Sequence, residues 1–326
     1  MLDDPRTYGL VLAVVVVLGI ATGVGWLLRR QSNGALDPVI IDQFNRRIAA
    51  WWILCAAMAT TLLIGQTATV ALFGLISFWA LREFITLTPT RIADHKALFA
   101  VFFVFTPAQY ILVGLEREGL YSIMIPVYGF LYIAARVALA GDYKRFLERT
   151  AKIQAGLMIC VYCLSYTPAI LSLKDPRLES AAATDLNQNA RLLFFLVVVV
   201  QVGEVVRLAA EKLIGKHLVA PAISQNRTWE GFLGAVGGAL TCGLVLSWAV
   251  PLELLMTILL SLVVGVMGFA GGLTMSAIKR DRGVDDYGTL VTGHGGVLDR
   301  IDALCFAAPV YYQICKYYFW FHEPPL

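Results

Sequence analysis

A chain of 326 residues that is 58% hydrophobic and only 15% charged departs from soluble domains, in which about a quarter of residues are charged. Folded in water it would expose more apolar surface than monomeric soluble proteins tolerate, so the bilayer is its expected solvent. The formal net charge of +3 is too small to draw in a nucleic-acid partner.

The pattern along the chain predicts an all-α polytopic integral membrane protein. Apolar segments run over roughly 8–28, 48–65, 67–82, 97–114, 119–140, 153–173, 191–210, 231–250, 252–276 and 303–320. That makes about ten transmembrane helices, 67–82 being the shortest, since about 20 apolar residues cross the hydrocarbon as a helix. The runs are continuous rather than alternating, which excludes a membrane β-barrel. The first follows Asp3, Asp4 and Arg6 and ends at Leu28 before Arg29 and Arg30. It is long for a signal peptide and reads as a retained span. All six cysteines lie in apolar stretches, where cysteine behaves as a small hydrophobe. The spacing Cys160-x-x-Cys163 therefore reads as packing, with no second pair or nearby histidine to make a metal site.

Lysine and arginine set the orientation. The loops 29–47, 82–96, 141–152, 207–230 and 279–300 hold 19 such residues, against 5 in the tails and alternate loops. The first set is expected in the cytoplasm and both termini on the other side. The chain also divides by character. Residues 1–190 read as transmembrane helices with short connections, and 191–326 as the chemical region, with a polar cavity facing the cytoplasm.

Two polar clusters mark that region. In the first, Glu204, Arg207, Glu211 and Lys212 precede Gly215-Lys216-His217, and Pro221 to Gly231 follow. Pro221 and the run of serine, asparagine and threonine forbid a continuous helix. The resulting loop could grip phosphate oxygens through Lys216, Arg227, Ser224 and Thr228. An ion pair one turn apart is the structural reading of Glu204 and Arg207. In the second cluster, Ser276 shares a helix face with Lys279 and Arg280, and Asp299 shares one with Asp302. Carboxylates at the start of a helix suit its dipole, and two on one face can hold a Mg²⁺ that bridges substrate phosphates.

The second cluster reads S-x-x-K-R, five residues, D-x-G, four residues, G-H-G-G-x-x-D-R-x-D, from Ser276 to Asp302. It resembles the C-terminal signature of the CDP-diacylglycerol synthases, or phosphatidate cytidylyltransferases. The stretch G-K-H-x-x-A-P-x-I-S-x-x-x-T-W-E-G, from Gly215 to Gly231, resembles a second conserved loop of that family. The resemblance implies a Mg²⁺-dependent reaction of CTP with phosphatidate in the inner, cytoplasmic membrane, at a dimetal centre holding Mg²⁺ and a second cation. It implies Asp299 as a metal ligand, with Asp302 beside it and Asp286 in support. Lys279 joins these carboxylates in catalysis. Ser276, Arg280, His294 and Arg300 bind substrate, with Lys216, Ser224, Arg227 and Thr228 from the upstream loop. A homodimer fits the same picture.

The chain also departs from the signature. Gly272 stands where the family places a metal-binding aspartate, Asp285-Asp286 replaces a Lys-Asp pair, and Arg227 replaces a lysine. Two readings stay open: an active enzyme with a rebuilt metal site, or a silent relative that binds lipid or nucleotide or acts as a scaffold in the membrane. Topology is testable at once. Reporter fusions after residues near 40, 90, 147, 220 and 290 are expected to read cytoplasm, and those near 117, 182 and 326 the opposite side. A cytoplasmic C-terminus would overturn the assignment.

Overall fold

In a computed structural model of the chain, residues 64–87, 90–174, 186–224, 226–284 and 296–321 are described, with scattered positions from Gly9 to Thr60. The expected spans 8–28 and 48–65 lie largely outside the described residues, and Asp285, Asp286 and His294 wholly so. The chain divides into two compact units, Met1–Thr69 and Val70–Leu326. The boundary expected at residue 190 falls inside the second. In the first unit Trp52 donates its indole N–H to Thr22 Oγ1 at 3.1 Å.

Eight helices follow in order: α1 (Gln66–Leu87), α2 (Ile92–Gly114), α3 (Glu118–Ala138), α4 (Phe146–Ser172), α5 (Leu186–Leu213), α6 (Trp229–Val245), α7 (Leu254–Arg282) and α8 (Leu298–Phe321). No strand occurs among the described residues, only the isolated bridge Leu218–Thr228. All but α6 and α8 are long and apolar enough to cross a bilayer. The protein is a helical, multi-pass membrane protein. Exposed apolar side chains such as Leu75, Phe99, Phe103, Ile111 and Leu131 form the surface that lipid would cover.

Three expected segments need correction. The one taken as shortest, 67–82, is a helix of 22 residues, because Arg82 and Glu83 extend it rather than open a loop. The one expected over 231–250 is α6, which stops at Val245, before the single turn Ser247–Ala249. The last, α8, carries enough tyrosine, lysine and aspartate to lower its hydropathy, and its burial explains that. Ala303, Leu304, Cys305, Ala307, Ala308, Tyr311, Tyr312, Cys315 and Phe319 are all buried. A helix covered by other helices need not present an apolar surface to lipid.

Polar groups fasten the helices to one another. Tyr311 on α8 donates to the Leu192 carbonyl on α5 at 3.1 Å, and Tyr121 on α3 donates to the Tyr312 hydroxyl at 2.9 Å. Gln109 on α2 reaches Ser165 Oγ on α4 at 3.0 Å. Asn189 at the start of α5 donates to the carbonyls of Leu171 and Leu173 at 3.1 and 2.7 Å, meeting acceptors that the end of α4 leaves open. Where no water competes, every such group must find a partner within the protein. Cys160 is buried and both Cys160 and Cys163 are free thiols.

The loops next to α2 and α4 close over a buried ion pair. Arg149, 5% exposed, donates from Nε to both carboxylate oxygens of Asp94, at 2.9 and 3.1 Å, and Asp94 is 1% exposed. Its Nη1 donates to the carbonyls of Asp142 and Lys144 at 2.8 and 3.1 Å. Arg91 holds the Asp142 carboxylate at 2.9 Å, and the nearby guanidinium keeps that carboxyl below the usual range. Removing one partner of a buried pair leaves the other charge uncompensated, at a cost of about 3–5 kcal/mol. Asp94→Ala should lower the thermal unfolding midpoint in detergent accordingly. A change as small as that of a surface control, such as Glu148→Ala, would show that the pair contributes little.

Candidate functional site

The candidate site lies where the ends of α1, α5 and α7 meet the start of α8. Glycines let these helices approach closely: a Cβ on Gly271 of α7 would stand 2.7 Å from the Asp302 carbonyl oxygen of α8. A Cβ on Gly265 of α7 would stand 2.8 Å from Val236 Cα of α6, so α6 and α7 touch along their backbones.

The beginning of α8 is built first by a residue outside both motifs. Glu83, near the end of α1 and 4% exposed, accepts from the Val297 and Leu298 N–H groups at 3.0 and 2.9 Å. These are among the donors a helix start leaves without internal partners, and a carboxylate there also suits the helix dipole. Gly296 leaves the carboxylate room: a Cβ there would sit 2.8 Å from Glu83 Cδ, and Glu83 would have to shift. Sequence reasoning assigned the 82–96 region to topology and missed this role. The available signal was a lone acidic residue at the edge of an apolar run, which calls for a named partner.

Asp299 is held from two sides. Its Oδ1 takes the Lys279 ammonium of α7 at 2.9 Å, and its Oδ2 accepts from the Gly296 N–H at 3.1 Å. The two halves of the Ser276–Asp302 signature therefore meet. Ser276 donates to the Gly272 carbonyl one turn back, at 2.7 Å. Arg280 is exposed, and Arg300 is half-buried. Asp302 accepts from the Ala303 N–H at 2.8 Å and faces Glu204, Arg227 and Arg207 electrostatically.

The upstream loop folds back on itself. Val219 donates to the Arg227 carbonyl at 3.0 Å and Trp229 to the His217 carbonyl at 2.9 Å. Thr228 caps α6, its Oγ1 accepting from the Gly231 N–H at 3.1 Å, in the usual manner of an N-cap threonine. Glu230 accepts from the Lys216 and His217 N–H groups, both at 3.2 Å, and meets the His217 ring at 2.6 Å. Thr228 and Glu230 thus shape the loop. Lys216 is exposed, and Ser224 Oγ accepts from the Asn226 N–H at 3.3 Å.

Arg227 turns inward. It is 8% exposed, its guanidinium lies 5.8 Å from the centre of the Phe269 ring, and its Nη1 has no hydrogen-bond partner among the described residues. It fills the space beside Gly272: a Cβ there would lie 2.8 Å from its Cζ and 3.0 Å from Nη1. Burial and the neighbouring Arg207 pull its pKa down, while Glu204, Glu211 and Asp302 act in the opposite sense. On α5, Arg207 binds Glu204 through Nε at 3.1 and 3.0 Å and Glu211 through Nη1 at 2.5 Å. The pairing expected of Glu204 and Arg207 is present and extends to Glu211, whose Oε1 is buried without a partner.

These residues decide what the site can hold. Asp299 and Asp302 carry carboxylate oxygens one turn apart, the donor type that Mg²⁺ takes, and both oxygens of Asp299 are engaged by Lys279 and the Gly296 N–H. Among the described residues, no group of three or more acidic, histidine or cysteine side chains is placed to bind a metal by itself. The space beside Gly272 does not suit a further cation, because a guanidinium already fills it.

The model of the cytidylyltransferase family matches residues 45–318. The chain is 34% identical to the Uncharacterized protein YnbB of Escherichia coli K12 over 293 residues, 90% of this chain and 91% of that protein. It is 45% identical over 92 residues to a phosphatidate cytidylyltransferase of Synechocystis, 28% of this chain and 31% of that one. With a phosphatidate cytidylyltransferase of Staphylococcus epidermidis it shares 34% identity over 126 residues, 38% of this chain and 48% of the enzyme. The match thus spans less than half the length of either named enzyme.

The role of Glu83 can be measured directly. Glu83→Ala strands two helix-start donors, at about 1–3 kcal/mol, and should lower the unfolding midpoint in detergent. Gly296→Ala, which crowds the same carboxylate, should destabilise in the same direction. Unchanged midpoints in both would rule out the cap.

Proposed function

The chain belongs to the cytidylyltransferase family, and on that premise we propose that it is a phosphatidate cytidylyltransferase, joining CTP to phosphatidate in a bilayer. A phosphate oxygen of phosphatidate bonds to the α-phosphorus of CTP. The bond from that phosphorus to the oxygen leading to the β-phosphate breaks, and its electron pair leaves on pyrophosphate. The product is CDP-diacylglycerol, a phospholipid precursor. The phosphate monoester is already ionised near neutral pH, so the site needs position and charge more than a base.

The observation that carries this reading is the Lys279–Asp299 pair at 2.9 Å, which supports a single site formed by the ends of α7 and α8. Mg²⁺, held by Asp299 and Asp302 with Asp286 in support, would neutralise charge on the phosphates. Lys279 keeps Asp299 oriented. Arg280, Arg300 and Lys216 add positive charge for the triphosphate, and His294, Ser276 and Ser224 add polar groups. Arg227 enters from the upstream loop, and Thr228 secures that loop. In this reading the polar cavity opens to the cytoplasm from an inner membrane crossed about ten times, and the protein works alone or as a homodimer.

A second reading has its own support. Arg227 occupies the space beside Gly272, and Arg207 ties up the α5 carboxylates, as they would in a silent relative that binds lipid or nucleotide. One assay separates the two. Purified protein with labelled CTP, phosphatidate and Mg²⁺ should yield labelled liponucleotide. Asp299→Asn should cut the rate by about two to three orders of magnitude, as loss of a site's key electrostatic group does, while still inserting. A folded wild type without product would establish the silent relative, and near-normal turnover in Asp299→Asn would refute that residue's role.

A further inference from the structure

The segment that joins α5 to α6 shows large apolar side chains to its surroundings. Leu213 at the end of α5 is 82% exposed and Trp229 at the start of α6 is 54% exposed, with Ile214 and Leu218 also exposed. These residues lie together in space. The Trp229 N–H donates to the His217 carbonyl at 2.9 Å, and Leu218 bridges to Thr228. A Cβ on Gly215 would stand 3.0 Å from Thr228 Oγ1. One patch therefore covers the neighbouring ends of α5 and α6.

Its charge is one-sided. The carboxylates of Glu211 and Glu230 turn to partners within the protein, Glu211 to the Arg207 guanidinium and Glu230 to the Lys216 and His217 N–H groups. Lys212 and Lys216 are exposed. Apolar and cationic side chains stand side by side, the combination that settles into an anionic headgroup layer.

The length of α6 sets the depth. Its 17 residues span about 26 Å at about 1.5 Å per residue, against about 30 Å of hydrocarbon. Leu233, Leu244 and Val245 leave its flank exposed, and Trp248, in the turn just past its end, is exposed as well. A short apolar helix bounded by two exposed tryptophans meets both edges of the hydrocarbon, where tryptophan collects. The loop that leads into Trp229 is then level with the headgroups rather than above them.

We propose that Leu213, Ile214, Leu218 and Trp229 seat the upstream loop in the headgroup layer of a leaflet containing anionic phospholipid, with Lys212 as the counter-charge. This is a lipid contact made by a loop rather than by a span, and it does not rest on the cytidylyltransferase reading. It holds the loop that carries Arg227 and Thr228 at headgroup depth.

The test reads the depth of Trp229. Full-length wild type and Trp229→Phe are reconstituted into vesicles of phosphatidylcholine and phosphatidylglycerol, and the emission lost in the variant is that of Trp229. Lipids brominated near the headgroup end of the acyl chain should quench most of that emission, and more than lipids brominated near the chain end. Iodide on both sides of the membrane should quench little. Shallow-brominated phosphatidylglycerol should quench more than phosphatidylcholine brominated alike, and Lys212→Gln should lower that excess by up to about fivefold, the factor one lysine contributes at an anionic surface. If Trp229→Phe does not fold, Leu213→Trp serves instead, its added emission read in the same way. Strong quenching by iodide would place the loop in water. Shielding from iodide and bromine alike would show that protein, such as a second copy of the chain, covers the patch. Strongest quenching by deep bromine would place it inside the hydrocarbon. Any of these overturns the seat. Equal quenching by the two lipids, or an excess untouched by Lys212→Gln, would overturn the charge part. Liponucleotide synthesis is measured apart, and its absence leaves the seat standing.

Discussion

A helix begins with backbone N–H groups that it cannot satisfy itself, and the start of α8 places this problem at the centre of the site. Glu83 answers it from α1, across more than two hundred residues of chain, and the Asp299 carboxylate takes the Gly296 N–H. With that end fixed, Asp299 points at Lys279 and Asp302 turns toward α5. The aspartates are therefore only as well placed as the cap beneath them. A residue outside both motifs thus sets the geometry of residues within them.

Charge in the neighbouring cleft is balanced by the same economy of position. Arg207 lies on the helix that carries Glu204 and Glu211, so their pairing is intrahelical and holds α5 as one unit. Arg227 comes from a loop whose shape depends on Thr228 capping α6 and Glu230 clamping the turn at Lys216 and His217. Several polar residues of the upstream motif thus act on backbone and deliver one guanidinium inward. Transfer of a phosphoryl-type group asks for this kind of rigid charge placement.

Much of the helical framework was legible in the sequence because lipid leaves few options for an apolar run of 20 residues. The meeting of Lys279 with Asp299 was legible only as two halves of a pattern, since spacing within one helix says nothing of which helix lies opposite. Glu83 was not legible. Its partners are backbone groups, and a backbone donor leaves no residue type to read. The inward turn of Arg227 was hidden for a different reason. An arginine in a polar loop reads as exposed, and only the missing side chain at Gly272 makes room for it. Helix α8 was expected as an ordinary span, yet protein covers most of it, which hydropathy could not tell apart from lipid.

The burial of α8 has a consequence for how the protein is made. Its tyrosines, Lys316 and the aspartates of its first turn give this last helix a weaker drive to enter hydrocarbon than its neighbours have. It gains most from a seat already lined by the helices synthesised before it, where Tyr311 finds the Leu192 carbonyl and Lys316 finds Glu118 at 2.7 Å. Membrane insertion and completion of the site then become one event. A nascent chain still short of α8 carries Lys279 and Arg227 but neither Asp299 nor Asp302, so the cluster at the start of α8 forms only once that helix is in place.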